Sequence, residues 1–200
     1  VPGSTGPASA QPGSPAPASW APDRLLPGFW ARTIDLGRDV DGPVRATLVR
    51  RPLQRNPQHD CAVLYIHGYV DYFLQPHLAD YFDQAPGPQP SRPGCDFFAL
   101  DLRRYGRSLD SGERYPNFAT NLDEYFPEIT TALDTIAAER YPFVLLNGHS
   151  TGGLIAARYL QSGPRGGLVN AVFLNSPFLD FSGRDLNAFT RALAPLVGRI

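Results

Sequence analysis

The sequence predicts an α/β fold in which a mostly parallel sheet is flanked by helices, and three observations lead to this prediction. Short apolar runs of strand character alternate with stretches of helical periodicity from about residue 62 onward. Pro- and Gly-rich turns separate these elements. Two runs that read as antiparallel strands come before the alternation. Connections between parallel strands are right-handed and place helices against the sheet.

Composition limits the classes of protein that are possible. The 200 residues are 42% hydrophobic, which suits one globular domain with a sizeable core. The formal net charge of -1 gives no electrostatic footprint for nucleic acid or an acidic membrane surface. No apolar run is long enough for stable membrane insertion, and no secretory pattern opens the chain, so we expect a cytoplasmic location.

The first segment, residues 1–23, consists mostly of Pro, Ala, Ser and Gly. Such a segment buries too little apolar surface to offset its conformational entropy. The sequence therefore predicts a disordered tail over 1–23, dispensable for catalysis, and a folded core over 24–200.

The elements of that core follow in order. Partial alternation on both sides of Asp41-Gly42 predicts a hairpin, and nearly continuous apolar runs predict strands buried on both faces. The predicted strands cover residues 29–36, 44–50, 62–66, 97–102, 143–146 and 171–175, and the predicted helices cover 76–82, 121–140, 154–160 and 186–200. Thr120 and Asp123 resemble a capping box, and Pro127 predicts a kink or a later start in the 121–140 helix.

The central motif is the strand 143–146 followed by Gly148-His149-Ser150-Thr151-Gly152 and then the 154–160 helix. A serine on a sharp turn between a strand and a helix projects its hydroxyl out of the sheet. Glycines at 148 and 152 remove β-carbons that would collide in such a turn. The helix start also offers free N–H groups beside the serine. We therefore identify Ser150 as the candidate nucleophile.

Polar residues also close the two neighbouring strands. His67-Gly68-Tyr69 follows the 62–66 strand and forms a loop whose backbone can face the serine. The N–H groups of Tyr69 and Thr151 are the candidate oxyanion hole. We expect His67 to shape this loop rather than to act as the base. We expect Asp101 to pair with local N–H groups or with an arginine.

Two cysteines, Cys61 and Cys95, are too few for a disulfide framework. Each lies at the start of one of two predicted neighbouring strands, an arrangement that would bring the two close in space, but two reduced core thiols are the favoured interpretation. No cysteine or histidine pair has the spacing of metal ligands, and we expect no metal site.

These motifs resemble the α/β-hydrolase superfamily, specifically the serine hydrolases that include monoacylglycerol lipases, lysophospholipases and the serine aminopeptidase S33 group. The resemblance rests on 67–68, 101–108, 148–153 and 175–177, in matching order. It implies a carboxylic ester hydrolase that forms an acyl-enzyme on Ser150, needs no cofactor and takes a small-molecule acyl ester. The sequence does not separate this activity from that of a peptidase, acyltransferase or carbon–carbon bond hydrolase.

The chain departs from that resemblance after the nucleophile. In the family the acid and the histidine both follow the serine, whereas all four histidines of this chain precede Ser150. Asp180 is the acid only in a minority arrangement, and the elbow points His149 away from Ser150. We therefore expect the N-terminal two-thirds of such a hydrolase, ending where the lid begins, inactive alone and with an uncovered strand at 171–175. A non-catalytic binding module is the alternative, and the oligomeric state stays open.

Overall fold

The computed structural model describes residues 19–53, 58–84, 87, 93–110 and 112–179. Seven strands form one sheet: β1 Ala21–Pro22, β2 Trp30–Asp39, β3 Gly42–Arg50, β4 Cys61–Ile66, β5 Asp96–Asp101, β6 Phe143–His149 and β7 Ala171–Asn175. Three α-helices pack against it: α1 Pro76–Gln84, α2 Phe126–Ala138 and α3 Thr151–Ser162. Short 3₁₀ helices span Gly106–Ser108, Leu122–Tyr125 and Gly166–Leu168.

The strand order is β1-β2-β3-β5-β4-β6-β7. The first three strands are antiparallel, as the hairpin pattern predicted, and β3 is antiparallel to β5. From β5 to β7 the sheet is parallel. The carboxyl ends of β4, β5, β6 and β7 consequently share one edge, which is where open α/β sheets place their sites.

Two apolar layers explain why β4 and β5 are almost wholly apolar. One layer packs the sheet against α2 and α3, and the other packs it against α1. Every residue of β4 and β5 is buried, because neighbours cover these strands on both faces and both edges. The helical spacing of apolar residues in α2 matches the face that the helix buries. That face comprises Glu128, Ile129, Ala132, Leu133 and Ile136.

The start of α2 differs in detail from the sequence expectation. Pro127 lies in the first turn of α2, so the predicted later start is confirmed. The capping residue of the preceding 3₁₀ helix is Asn121, whose side chain accepts from Asp123 N–H at 2.8 Å. Thr120 instead donates its N–H to Glu124 Oε1 at 2.9 Å. The capping box predicted from Thr120 and Asp123 was therefore wrong.

Two further expectations need correction. The predicted tail over 1–23 extends too far, because Ala21–Pro22 form β1 against β2. The prediction of two reduced thiols was wrong, because Cys61 and Cys95 form a disulfide. Cys61 begins β4 and Cys95 directly precedes the adjacent parallel strand β5, which brings their Cα atoms to 4.4 Å. The expected proximity is therefore present, and the expected reduced state is not.

No helix in the described part of the chain is long and apolar enough to cross a membrane. Among those residues β7 pairs with β6 alone and exposes Val172 and Phe173. The predicted 186–200 helix and the candidate acid Asp180 lie outside the described residues.

Candidate active site

Ser150 occupies a strained turn between β6 and α3. β6 ends at His149, α3 begins at Thr151, and Ser150 has φ 52° and ψ -121°. A residue other than glycine with positive φ is costly and persists only where its surroundings enforce it. Here Ser150 N–H donates to Asn175 O at 3.1 Å, and Ser150 O accepts from Phe178 N–H at 2.9 Å. The end of β7 therefore holds the backbone of this turn.

The glycines around Ser150 are needed because backbone segments pass very close to them. A β-carbon at Gly148 would lie 2.7 Å from both Gly152 O and Gly153 Cα. A β-carbon at Gly152 would collide with the carbonyl oxygens of Ile66 and His67 at the end of β4. The collisions expected from the sequence at Gly148 and Gly152 are thus present in the structure.

The loop between β4 and α1, residues 67–75, lies directly beside the serine. A β-carbon at Gly68 would sit 3.1 Å from Ser150 Cβ. The next residue is Tyr69, and Thr151 is the first residue of α3. Neither the Tyr69 N–H nor the Thr151 N–H donates to another group within the described residues. Two backbone donors therefore stay unused close to Ser150.

His67 is locked in one neutral form by two hydrogen bonds. Its Nδ1–H donates to Gly68 O at 2.7 Å, and its Nε2 accepts from Leu102 N–H at 3.1 Å. Complete burial disfavours the imidazolium and lowers the pKa of His67, although Asp101 and Gly68 O act in the opposite direction. Both nitrogens are occupied, so His67 is not a free base, and its hydrogen bonds tie the start of the 67–75 loop to the end of β5.

The other three histidines are also unsuited to serve Ser150. His149 Nδ1–H donates to Asn175 O at 3.3 Å. His59 bonds Asp83 Oδ1 at 2.9 Å near the start of β4, and His77 is exposed on the first turn of α1. Within the residues that the structure describes, Ser150 Oγ makes no hydrogen bond. All four histidines lie in that part of the chain, so none of them is placed as its base.

Asp101 is fully enclosed at the end of β5. Its Oδ1 accepts from Phe73 N–H at 2.9 Å. Its Oδ2 accepts from the backbone N–H of Arg107 at 3.1 Å and from the Arg107 guanidinium at 2.9 Å. The prediction that Asp101 pairs with local N–H groups or with an arginine is confirmed, since it does both. Both carboxylate oxygens of Asp101 are therefore occupied and are not free to act as a base.

A cavity of about 410 Å³ opens beside Tyr69 and Thr151. It lies between the start of α3 and the segment before α2, and its size suits a small ligand. Tyrosine, phenylalanine and aliphatic side chains supply most of its wall, and no lining residue carries a formal charge. The lining residues are Tyr69, Tyr105, Asn117, Phe118, Ala119, Thr120, Asn121, Leu122, Tyr125, Thr151 and Ile155.

Sequence reasoning placed Ser150, His67, Gly68, Tyr69, His149 and Thr151 near one another, and the structure brings them to one edge. The 117–125 wall of the cavity was not predicted as part of the site, because the sequence indicated only that a helix begins near residue 121. Sequence reasoning also missed Asp23, whose carboxylate binds Arg107 although the two residues are 84 positions apart. No signal in one sequence announces such a long-range ion pair. Across the described residues no cluster of His, Cys, Asp or Glu could hold a metal ion.

The mixed, mostly parallel sheet with its flanking helices and its serine elbow defines an α/β-hydrolase. The chain belongs to the family described as serine aminopeptidase, S33, whose sequence model matches residues 57–200. The sequence-based resemblance and fold class are thereby confirmed. A search of curated proteins finds no match to this chain.

Three solved structures of low sequence identity share the fold. A monoglyceride lipase from Saccharomyces cerevisiae is 22% identical with a TM-score of 0.55, over 84% of this chain and 51% of that one. A peroxisomal alpha-beta-hydrolase from the same yeast is 11% identical, with a TM-score of 0.58 over 74% and 43%. A probable hydrolytic enzyme from Pseudomonas aeruginosa PAO1 is 17% identical, with a TM-score of 0.51 over 74% and 41%. The chain thus spans about 41% to 51% of these proteins.

Proposed function

We propose that this chain carries the nucleophile and the oxyanion-binding groups of a serine hydrolase that acts on uncharged carboxylic esters. The observation that carries the proposal is the strained backbone of Ser150 between two unused backbone donors. Strain of this kind is kept where it serves a function. An ordinary glycine turn would need neither the serine nor the close approach of the 67–75 loop.

The two donors match the chemistry of ester cleavage. Attack of Ser150 Oγ on an ester carbonyl breaks the carbonyl π bond and leaves a negative charge on its oxygen. The N–H groups of Tyr69 and Thr151 would hold that oxyanion, and the start of α3 adds a partial positive charge. Loss of the alcohol would leave an acyl group on Ser150, which water then releases. We infer that Gly148, Gly152 and Gly68 permit this geometry and that His149 borders it.

The proton of Ser150 Oγ is the missing part of this chemistry. A serine hydroxyl is a weak nucleophile at neutral pH unless a base accepts its proton. None of the four histidines is placed to do so. We therefore propose that the 200-residue chain does not turn over ester by itself and needs a base from outside it.

The cavity beside the donors favours an uncharged acyl group. A phosphate or a free ammonium bound there would lose its hydration without gaining a charged partner, because no lining residue is charged. A short or medium acyl chain would instead bury apolar surface against the tyrosines, Leu122 and Ile155. These features support an esterase or monoacylglycerol lipase-like activity over a lysophospholipase whose head group enters this cavity.

The second candidate is a non-catalytic binding module, which is favoured because no histidine in the described residues bonds the Ser150 hydroxyl. Such a module would use the same cavity for an apolar ligand without forming an acyl-enzyme. The two candidates differ in one observable, the chemical reactivity of Ser150.

The cytoplasmic location stays a prediction, and the Cys61–Cys95 disulfide weighs against it. Disulfides persist in oxidising compartments and are rare in the cytosol. We favour folding in an oxidising compartment.

The test supplies the missing base from solution. The full chain is incubated with an alkyl fluorophosphonate in excess imidazole, and the adduct is located by mass spectrometry. We expect one adduct, on Ser150, which is lost in Ser150→Ala. Ser176→Ala is the matched control, because Ser176 also has positive φ at this edge, and it should be labelled normally. The absence of an adduct on Ser150 in the presence of imidazole would refute the proposal that Ser150 is the nucleophile.

A second prediction concerns the acyl cavity. Leu122→Trp adds bulk to its wall, so imidazole-supported labelling by a decyl fluorophosphonate should slow roughly tenfold relative to the ethyl reagent. Leu109→Trp, at an exposed leucine outside the cavity, should leave that ratio unchanged. Equal slowing of both reagents in Leu122→Trp would show that the decyl group of the reagent does not bind in this cavity.

A further inference from the structure

The 67–75 loop is fastened at both ends by two adjacent residues. At its start, Leu102 N–H donates to His67 Nε2 at 3.1 Å. At Phe73, the backbone N–H donates to Asp101 Oδ1 at 2.9 Å. Tyr69 lies between these two anchors, so the end of β5 restrains the backbone on both sides of it.

Arg107 completes the second anchor. One of its guanidinium nitrogens, Nη1, donates both to Phe73 O and to Asp101 Oδ2, each at 2.9 Å. Both backbone groups of Phe73 are therefore held by one acid and one arginine. An arginine can do this only if its planar side chain is kept in a single orientation.

Asp23 supplies that orientation from the far end of the sequence. Its two carboxylate oxygens accept from Arg107 Nε at 2.9 Å and Nη2 at 2.7 Å. The backbone N–H of Leu26 also donates to Asp23 Oδ2 at 2.9 Å, and the backbone N–H of Asp23 donates to Phe29 O at 2.8 Å. Burial opposes ionisation of Asp23, but the hydrogen bond and charge of Arg107 outweigh it and lower its pKa.

The three charged side chains are shielded from water. Their exposed fractions are 2% for Asp23, 6% for Arg107 and 0% for Asp101. Without the Asp23 carboxylate, Asp101 still balances the charge of Arg107, but Arg107 Nε and Nη2 lose the two hydrogen bonds that fix the guanidinium. Buried donors left without an acceptor are costly, so we expect a large effect. The surface ion pair between Arg104 and Asp39 differs, since its carboxylate is about one-third exposed.

We propose that Asp23 is a positioning residue for the oxyanion-binding loop, acting through Arg107 and Phe73 on the backbone of Tyr69. The residues around β1 then belong to the functional unit, although they resemble part of a dispensable tail. The catalytic meaning of this role rests on the proposed function of Ser150, whereas the mechanical link from Asp23 to the loop does not.

Hydrogen–deuterium exchange of the full chain measures that link directly. In Asp23→Asn we expect the 67–74 segment, which includes the Phe73 amide, to exchange roughly tenfold faster. Exchange of β6 and α3 should stay unchanged. Asp39→Asn is the matched control, because it takes a carboxylate from another arginine of the same post-β5 loop without touching Phe73. Unchanged exchange over 67–74, or equal acceleration throughout the protein, would overturn the proposal.

Two truncated proteins provide a second test in case the Asp23→Asn substitution unfolds the protein. A chain beginning at residue 19 should exchange like the full chain, and one beginning at residue 24 should reproduce Asp23→Asn over 67–74. Identical loop exchange in the two truncated proteins would overturn the proposal.

Imidazole-supported labelling of Ser150 should also slow roughly tenfold in Asp23→Asn but not in Asp39→Asn. If the unaltered chain is not labelled at all, the proposed function fails while the exchange result still decides the role of Asp23.

Discussion

Reduction of the Cys61–Cys95 disulfide is expected to lower the free energy of unfolding by about 4 kcal/mol. The bond closes a loop of sequence separation 34, and the loop-entropy model assigns roughly this much to such a loop. Both sulfurs are buried at the start of the two most enclosed strands, so the reduced thiols would stay in the core. Urea unfolding with and without dithiothreitol measures the difference.

The control for this experiment is the Cys61→Ala, Cys95→Ala double variant, which should be insensitive to dithiothreitol. The bond itself is checked by alkylation of the unreduced, denatured protein. We expect no adduct, because the chain has only these 2 cysteines and both are paired. Two alkyl adducts would contradict the disulfide and restore the prediction of reduced thiols.

Gly152→Ala is expected to destabilise the fold by about 3 kcal/mol and to abolish imidazole-supported labelling of Ser150. The added methyl group meets the carbonyl oxygens of Ile66 and His67, which are backbone atoms at the end of the central strand and cannot rotate away. Relief requires α3 to move off β4, and that movement carries Ser150 away from the Tyr69 N–H. Urea unfolding and labelling rates measure the two effects separately.

Gly167→Ala is the matched control, since a β-carbon there meets no atom within 4 Å and its backbone needs no positive φ. Its free energy of unfolding should change by less than about 0.5 kcal/mol. A Gly152→Ala protein as stable and as reactive as Gly167→Ala would show that the elbow is looser than the structure describes.

The features that sequence predicted well are local ones. The elbow was recognisable because strand, glycines, serine and helix follow one another within about 20 residues. Alternation and apolar runs located the hairpin and the strands β4 and β5, whose burial the structure confirms. The 171–175 run was predicted as a buried strand too, but β7 is not buried within the described residues, and Val172 and Phe173 are exposed. The later start of α2 followed from the fixed φ of Pro127 alone.

The features that sequence missed depend on the register of distant segments. Cys61 and Cys95 face one another because β4 and β5 pair in parallel. Their positions at the starts of two strands indicated proximity, but not that the two thiols are oxidised to a disulfide. Asp23 is linked to the site by its hydrogen bonds with Arg107. Nothing in the sequence indicated this link, because Asp23 ends a low-complexity segment that was predicted to be a disordered tail. The cavity beside Tyr69 forms only when the segment before α2 packs near the start of α3.

The most direct test of the account compares fluorophosphonate labelling of the unaltered 200-residue chain with and without imidazole, read by intact mass. Within the described residues, the N–H groups of Tyr69 and Thr151 have no acceptor, and none of the four histidines bonds the Ser150 hydroxyl. We therefore predict no adduct in buffer alone and at least a roughly tenfold faster, Ser150-dependent reaction when imidazole is present. Stoichiometric labelling without imidazole would contradict the account, because one of the four histidines would then have to be the base.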